Sequence, residues 1–155
     1  MMPPQKISPI RPNLILMAED DSDDRLLAKD ALAESGLAME IRFVQDGVEL
    51  MDYLNRRNQF MQPEDSPRPS LIILDLNMPR KDGREALQEI KTDPDLRRIP
   101  VVVLTTLTGG PDIAKVYELG ANSFITKPVA FNALIGLLKS VANYWFNVVV
   151  LPVKS

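Results

Sequence analysis

Strand-sized apolar runs alternate with helix-period segments along this chain, and few topologies tolerate that order. The runs fall over residues 13–18, 40–44, 70–74, 99–104 and 123–126. Those at 13–18, 70–74 and 99–104 are rich in Leu, Ile and Val with little polar alternation, as strands buried on both faces are. Between them, apolar residues recur at helical spacing. Segment 23–35 carries Leu27, Ala28, Ala31 and Leu32 and stops at Gly36, while 47–58 carries Val48, Met51 and Leu54. Segment 84–91 carries Ala86, Leu87 and Ile90 and stops before Pro94; 112–119 carries Ile113, Val116 and Tyr117 and stops at Gly120. Glycine and proline at these points are helix-stop signals. A fifth segment keeps the period from Phe131 through Leu134, Ile135, Leu138, Val141 and Ala142 to Trp145, about four turns. Consecutive parallel strands need a crossover, and helices supply it. The order therefore predicts an α/β fold in three layers, α/β/α, on a five-stranded parallel sheet. A single domain accommodates 155 residues, 45% of them hydrophobic. The polar connection 59–69, with Pro63, Pro67 and Pro69, is expected at the surface.

Composition removes whole classes of chemistry. A formal net charge of -3 offers no broad basic face for nucleic acid. Without cysteine there is no disulfide, thiol nucleophile or thiolate-bound zinc, which suits a reducing cytoplasm. Without histidine there is no serine-histidine or cysteine-histidine catalysis, no histidine metal site and no histidine phosphocarrier. Carboxylates, lysine, hydroxyls and a hard cation remain. No apolar run approaches the roughly 20 residues that span a bilayer, so no membrane segment is expected. Residues 1–11, with Pro3, Pro4 and Pro9, lack the apolar core of a signal peptide and read as a flexible lead-in to a cytoplasmic protein.

In an open α/β sheet the carboxyl ends of parallel strands form the crevice where ligands bind. Glu19-Asp20-Asp21 follow the first run directly, and Asp75 closes the third, ahead of Asn77, Met78 and Pro79. If those strands are neighbours, Glu19, Asp20 and Asp75 converge, and their mutual repulsion calls for a cation. Magnesium suits such a site, because two carboxylates and a backbone carbonyl, here that of Asn77, leave positions open for a phosphoryl oxygen. Thr105 ends the fourth run and Lys127-Pro128 follow the fifth. A lysine can pair with a carboxylate at rest and with a phosphoryl oxygen afterwards, while a threonine hydroxyl can donate to a second oxygen. A cis bond before Pro128 is expected to aim Lys127 inward. Asp21, Asp23 and Asp24 read as helix N-terminal charge that suits the macrodipole. Taken singly, Lys127 could be a solvated lysine, Thr105 an ordinary strand-end residue and Asp82-Gly83 a turn. Together they fall on one edge of one sheet, which the separate explanations do not require.

From about Pro12 to Val141 the chain resembles a response-regulator receiver domain, the phosphoacceptor half of two-component signalling. Glu19-Asp20, Asp75 with Met78-Pro79 and Asp82-Gly83, Thr105, and Gly120-Ala121 leading to Lys127-Pro128 carry the resemblance. It implies a flavodoxin-like receiver fold over 12–142 with strand order 2-1-3-4-5, an order that periodicity alone does not supply. It also implies that Asp75 takes a phosphoryl group from a sensor histidine kinase. Mg2+ would be held by Asp20, Asp75 and the Asn77 carbonyl, with Glu19 acting through a water on the ion. Lys127 and Thr105 would hold the phosphoryl oxygens, and Thr105 with Phe124 would form the switch. Phe124 stands where many members carry tyrosine, so the ring is kept and the hydroxyl is lost. Leu107 places an apolar side chain on the expected water route to the acyl phosphate, which would slow its hydrolysis.

Segment 77–83, the prolines before Ser70 and the tail from Tyr144 to Pro152 are similar to the small regulators paired with bacterial phytochromes. A phytochrome is thus the expected upstream kinase. The receiver leaves no room for an output domain, so the expected role is a signalling protein rather than an enzyme, acting by phosphorylation-dependent protein binding. Residues 143–155 form an apolar extension in which Tyr144, Trp145 and Phe146 are the expected homodimer element, unless they fold back on their own core. Two other readings compete. A phosphatase with a strand-end aspartate usually carries a second aspartate two residues on, where this chain has Asn77. A pseudo-receiver would keep the fold as an interaction module without phosphotransfer.

Overall fold

The computed structural model describes residues 13–106 and 110–152. Residues 1–11 and Leu107 lie outside that range. Five strands, β1 (Asn13–Ala18), β2 (Met39–Val44), β3 (Leu71–Leu74), β4 (Val101–Thr105) and β5 (Ser123–Thr126), form one parallel sheet in the order β2-β1-β3-β4-β5. The doubly wound α/β architecture expected from the sequence is the one observed. Helices α1 (Ser22–Glu34), α2 (Gly47–Asn55), α3 (Gly83–Thr92), α4 (Gly110–Glu118) and α5 (Phe131–Asn143) make the connections and cover both faces.

The two-residue period of a strand sorts each run between two cores. Ile15, Met17, Ile73, Val102 and Leu104 pack under α1 and α5, with Ala28, Leu32, Leu134 and Leu138. Leu16, Ala18, Ile72, Leu74, Val101 and Val103 face the opposite way, toward α2, α3 and α4. A strand buried on both sides has no place for polar alternation, and this is why the central runs β1, β3 and β4 read as continuous apolar segments, whereas edge strand β2 carries Glu40 and Arg42. Three helices start at aspartate caps. Asp21 accepts from the Asp23 and Asp24 amides, Asp46 from Glu49 and Asp82 from Arg84, each cap stabilising its helix by about 1 kcal/mol.

Several boundaries differ from expectation. The second helix stops at Asn55 instead of running to residue 58, because Arg56 turns left-handed at φ 54°. Its buried face is Leu50, Met51 and Tyr53, with Val48 and Leu54 at the margin. The connection at 59–69 holds two short 3-10 turns, Asn58–Phe60 and Pro63–Asp65. It is tied down where the Tyr53 hydroxyl donates to the Pro67 carbonyl at 2.7 Å and Ser66 Oγ donates to that of Phe60 at 3.0 Å. β4 begins at Val101, since Ile99 closes a 3-10 turn over Leu96–Arg98 and Pro100 has no amide to give. The last helix keeps α geometry only to Asn143; a π turn over Tyr144–Val148 then breaks the period before Trp145. Peptide bonds among the described residues are all trans, so the cis bond expected at Pro128 is not formed. Among the same residues no helix is long and apolar enough to cross a membrane.

Candidate functional site

Hydrogen bonds of sheet type continue one residue past the strands and place the polar groups. The Glu19 amide donates to the Val44 carbonyl at 2.9 Å, Asp75 to Ala18 at 3.1 Å and Lys127 to Thr105 at 2.7 Å. Since Ala18 pairs with Leu74, Glu19 and Asp75 emerge side by side at the carboxyl edge. A carboxylate oxygen from each of Glu19, Asp20 and Asp75 lies within 4.8 Å of the others. Glu19 and Asp75 are buried while Asp20 is open to solvent. Lys127 reaches into this cluster. Its ammonium Nζ donates to Glu19 Oε1 at 2.5 Å, to Asp24 Oδ2 at 2.8 Å and to Asp75 Oδ2 at 3.4 Å. A trans Pro128 thus delivers the lysine inward without the cis geometry.

Asp24 was expected only to suit the helix dipole, and the structure corrects this: it is a direct partner of Lys127. Its place in the first turn of α1 turns one carboxylate back over the sheet edge, and only the meeting in space of this turn with Lys127, just past β5, reveals it. The electrostatics follow from burial. Desolvation pushes the Glu19 carboxyl up to about 7, with the Lys127 ammonium offsetting part of the cost. Burial works to lower Lys127, but its hydrogen bonds to Asp24 and Glu19 outweigh it and hold the group charged well above lysine's ordinary value. Glu19, Asp24 and Asp75 contact that single ammonium, and Asp20 stands beside Glu19 and Asp75, so acids outnumber the cation at this edge. Clustered carboxylate oxygens with one open side form a donor set for a hard divalent cation.

The β3–α3 loop is held from both ends. Asn77 returns its amide to Asp75 Oδ1 at 3.0 Å. Arg80 adopts a left-handed φ of 65° and clamps Asp46 at 2.8 and 3.0 Å. Burial disfavours the Asp46 carboxylate, yet the Arg80 guanidinium and the Glu49 amide hold it below its usual range. Gly47 lies against the Lys81 backbone and Gly83 against Asp75 and Leu76, so closely that a Cβ has no room at either position. The Gly47 contact could not be read from the sequence, because it pairs a glycine with backbone of another loop.

Thr105 is fully buried, and its hydroxyl has no hydrogen-bond partner among the described residues. Such an orphan costs about 1–3 kcal/mol. Phe124 is half-buried against the core beneath α2, α3 and α4. Tyr117, expected on the inward stripe of α4 beside Val116, is instead 48% exposed. Its hydroxyl accepts the Phe124 amide at 3.0 Å, fastening edge strand β5 to α4. Removing that acceptor in Tyr117→Phe is expected to lower the free energy of unfolding in urea by about 0.5–1.5 kcal/mol. An unchanged midpoint would mean that water replaces the bond fully.

In the tail, Trp145 and Phe146 pack partly against the α1–α5 core, while Tyr144, Val148 and Val150 remain exposed. Tyr144 meets the Trp145 ring edge-on at a centroid distance of 5.5 Å. Folding back on the chain's own core thus holds for Trp145 and Phe146 but not for Tyr144.

Comparison with known proteins agrees with this geometry. Residues 15–139 match the response regulator receiver domain. The response regulator Rcp1 of Synechocystis sp. is 42% identical over 141 residues, 91% of this chain and 94% of its own length. The crystal structure of the Mn2+-bound form of Rcp1 superimposes with a TM-score of 0.85, covering 92% of this chain and 100% of that one. The phosphorylated cyanobacterial phytochrome response regulator RcpA, also 42% identical, gives 0.85 over 91% of this chain and 99% of its own. Sheet order, edge chemistry and these relatives agree, and the chain belongs to the response regulator receiver domain family.

Proposed function

We propose that Asp75 accepts a phosphoryl group from the phosphohistidine of a sensor histidine kinase and that this chain signals through the resulting change of surface. The meeting of Glu19, Asp20, Asp75 and Lys127 at one sheet edge, beside the orphan Thr105 hydroxyl, carries the reading. An Asp75 carboxylate oxygen forms the new bond to phosphorus as the bond from phosphorus to the kinase histidine breaks, the electron pair staying on the imidazole nitrogen. The Lys127 ammonium and the Thr105 hydroxyl donate to phosphoryl oxygens. Asp20, Asp75 and the Asn77 carbonyl are the donor set proposed for Mg2+, with Glu19 acting through a water; the ion supplies charge neutralisation when bound. That Rcp1 takes an Mn2+-bound form supports a divalent ion for this chain.

An aspartyl phosphate adds about 1.5 to 2 negative charges if it behaves as phosphate esters do. Thr105 turning toward it would free space for the Phe124 ring, altering the α4–β5 surface that a downstream protein reads. A phytochrome is the upstream kinase favoured by the likeness to RcpA. The absence of cysteine is compatible with a reducing cytoplasm. Incubation with Mg2+ and acetyl phosphate, followed by intact mass measurement, should give an adduct of one phosphoryl group. A protein that stays unmodified would be a pseudo-receiver.

We further propose a homodimer formed through the tail. Tyr144, Val148 and Val150 are exposed beside an apolar groove of about 430 Å³ lined by Ile125, Leu137, Val141 and Trp145. Equilibrium sedimentation should report a dimer, and Val148→Asp combined with Val150→Asp should give a monomer that keeps the parent circular dichroism spectrum and loses the parent's concentration-dependent thermal midpoint. A monomeric parent chain would refute the assembly.

A further inference from the structure

A lysine ammonium has three N–H donors, and Lys127 spends them on three carboxylates: Glu19, Asp24 and Asp75. Two of these belong to the divalent-ion donor set. Asp24 does not. Its amide is bonded to Asp21 Oδ1, so the start of α1 does not depend on its carboxylate, and that carboxylate turns inward to the lysine. The side chains of Lys127 and Asp24 are only 10% and 19% exposed, shielding the pair more than a surface ion pair. The short contacts are to Glu19 and Asp24, and the contact to Asp75 is the longest of the three.

We propose that Asp24 is a positioning residue that holds the Lys127 ammonium away from Asp75, leaving that carboxylate free to face the divalent ion. The proposal rests on the metal-donor reading above. An ammonium and a divalent cation that share Glu19 and Asp75 repel each other, and a carboxylate outside the donor set gives the ammonium somewhere to stay. With Asp24 neutralised, Lys127 would close on Asp75 and compete with the ion directly. A helix-dipole role would instead make Asp24 equivalent to Asp23, its exposed neighbour in the same turn.

Calorimetric titration of the full chain with Mg2+, and separately with Mn2+, distinguishes these roles. Asp24→Asn is expected to weaken binding about tenfold, whereas Asp23→Asn, an equal change of charge, should leave it nearly unaltered. Asp24→Glu keeps the charge within reach and should retain most of the affinity. The deciding arm is Lys127→Met: once the ammonium is gone, adding Asp24→Asn should cost no more than Asp23→Asn does. A tenfold loss persisting in the Lys127→Met background, or no loss in the parent, overturns the proposal. Failure of the parent chain to bind either ion overturns the metal-donor reading itself, and the proposal with it. Matching circular dichroism and thermal midpoints among the variants show that differences in affinity do not arise from unfolding.

Discussion

Asp75→Asn should abolish the phosphoryl adduct formed from acetyl phosphate while leaving the fold as stable as before. An amide oxygen is a poor nucleophile toward phosphorus and cannot carry the charge of an acyl phosphate, so the loss should be complete. Stability is spared for a physical reason. Asp75 is one of three acids on a single ammonium, and its own contact with Lys127, at 3.4 Å, is the loosest of the three. The hydrogen bond from the Asn77 amide to Oδ1 survives in asparagine. Relief of repulsion offsets loss of the ion pair, and the net change should stay within about 1 kcal/mol. Intact mass and urea unfolding on the same sample would check both halves. An adduct persisting in Asp75→Asn would move the phosphoacceptor elsewhere.

Gly83→Ala should damage fold and site together. Alanine is ordinarily favoured over glycine within a helix by up to about 1 kcal/mol, and Gly83 has an ordinary negative φ, so local propensity alone predicts a gain. Packing reverses the sign. A Cβ at this position would stand 2.6 Å from the Asp75 carbonyl oxygen and 2.6 Å from Leu76 Cα, both backbone atoms that no rotamer can move aside. Either α3 lifts from the sheet or the segment bearing the phosphoacceptor shifts. Overpacking of this kind costs about 1–3 kcal/mol, so the net effect should be a loss of about 1–2 kcal/mol together with a much slower rate of adduct formation. A variant of unchanged stability and reactivity would show that the turn yields more easily than its contacts suggest.

What could be read in advance followed the reach of each interaction. The sheet was legible because the three central strands β1, β3 and β4 are buried on both faces, which leaves an unbroken apolar run, and because Gly36, Gly120 and Pro94 punctuate the helices locally. The edge chemistry was legible because Glu19, Asp75 and Lys127 each follow a strand directly. Asp24 was not, since its partner lies far along the chain and its neighbours Asp21 and Asp23 do serve the helix start. Tyr117 misled for a related reason: its aromatic body suits the inward stripe, but a hydroxyl within reach of an edge-strand amide draws it to the rim. The arrest of α2 at Arg56 carried no glycine or proline to announce it. The π turn at Tyr144 was hidden because the apolar residues keep helical spacing into the segment where the backbone departs from it.

The buried Thr105 hydroxyl, unpartnered among the described residues, would give the protein a thermodynamic slope. Every conformation that offers this group a partner is favoured by the recovered bond, and each 1.4 kcal/mol recovered multiplies its population tenfold. On the proposed reading, an oxyanion attached within reach of the hydroxyl would gain this same bond, and Phe124, whose amide is bonded to Tyr117, would report the change at the protein's rim.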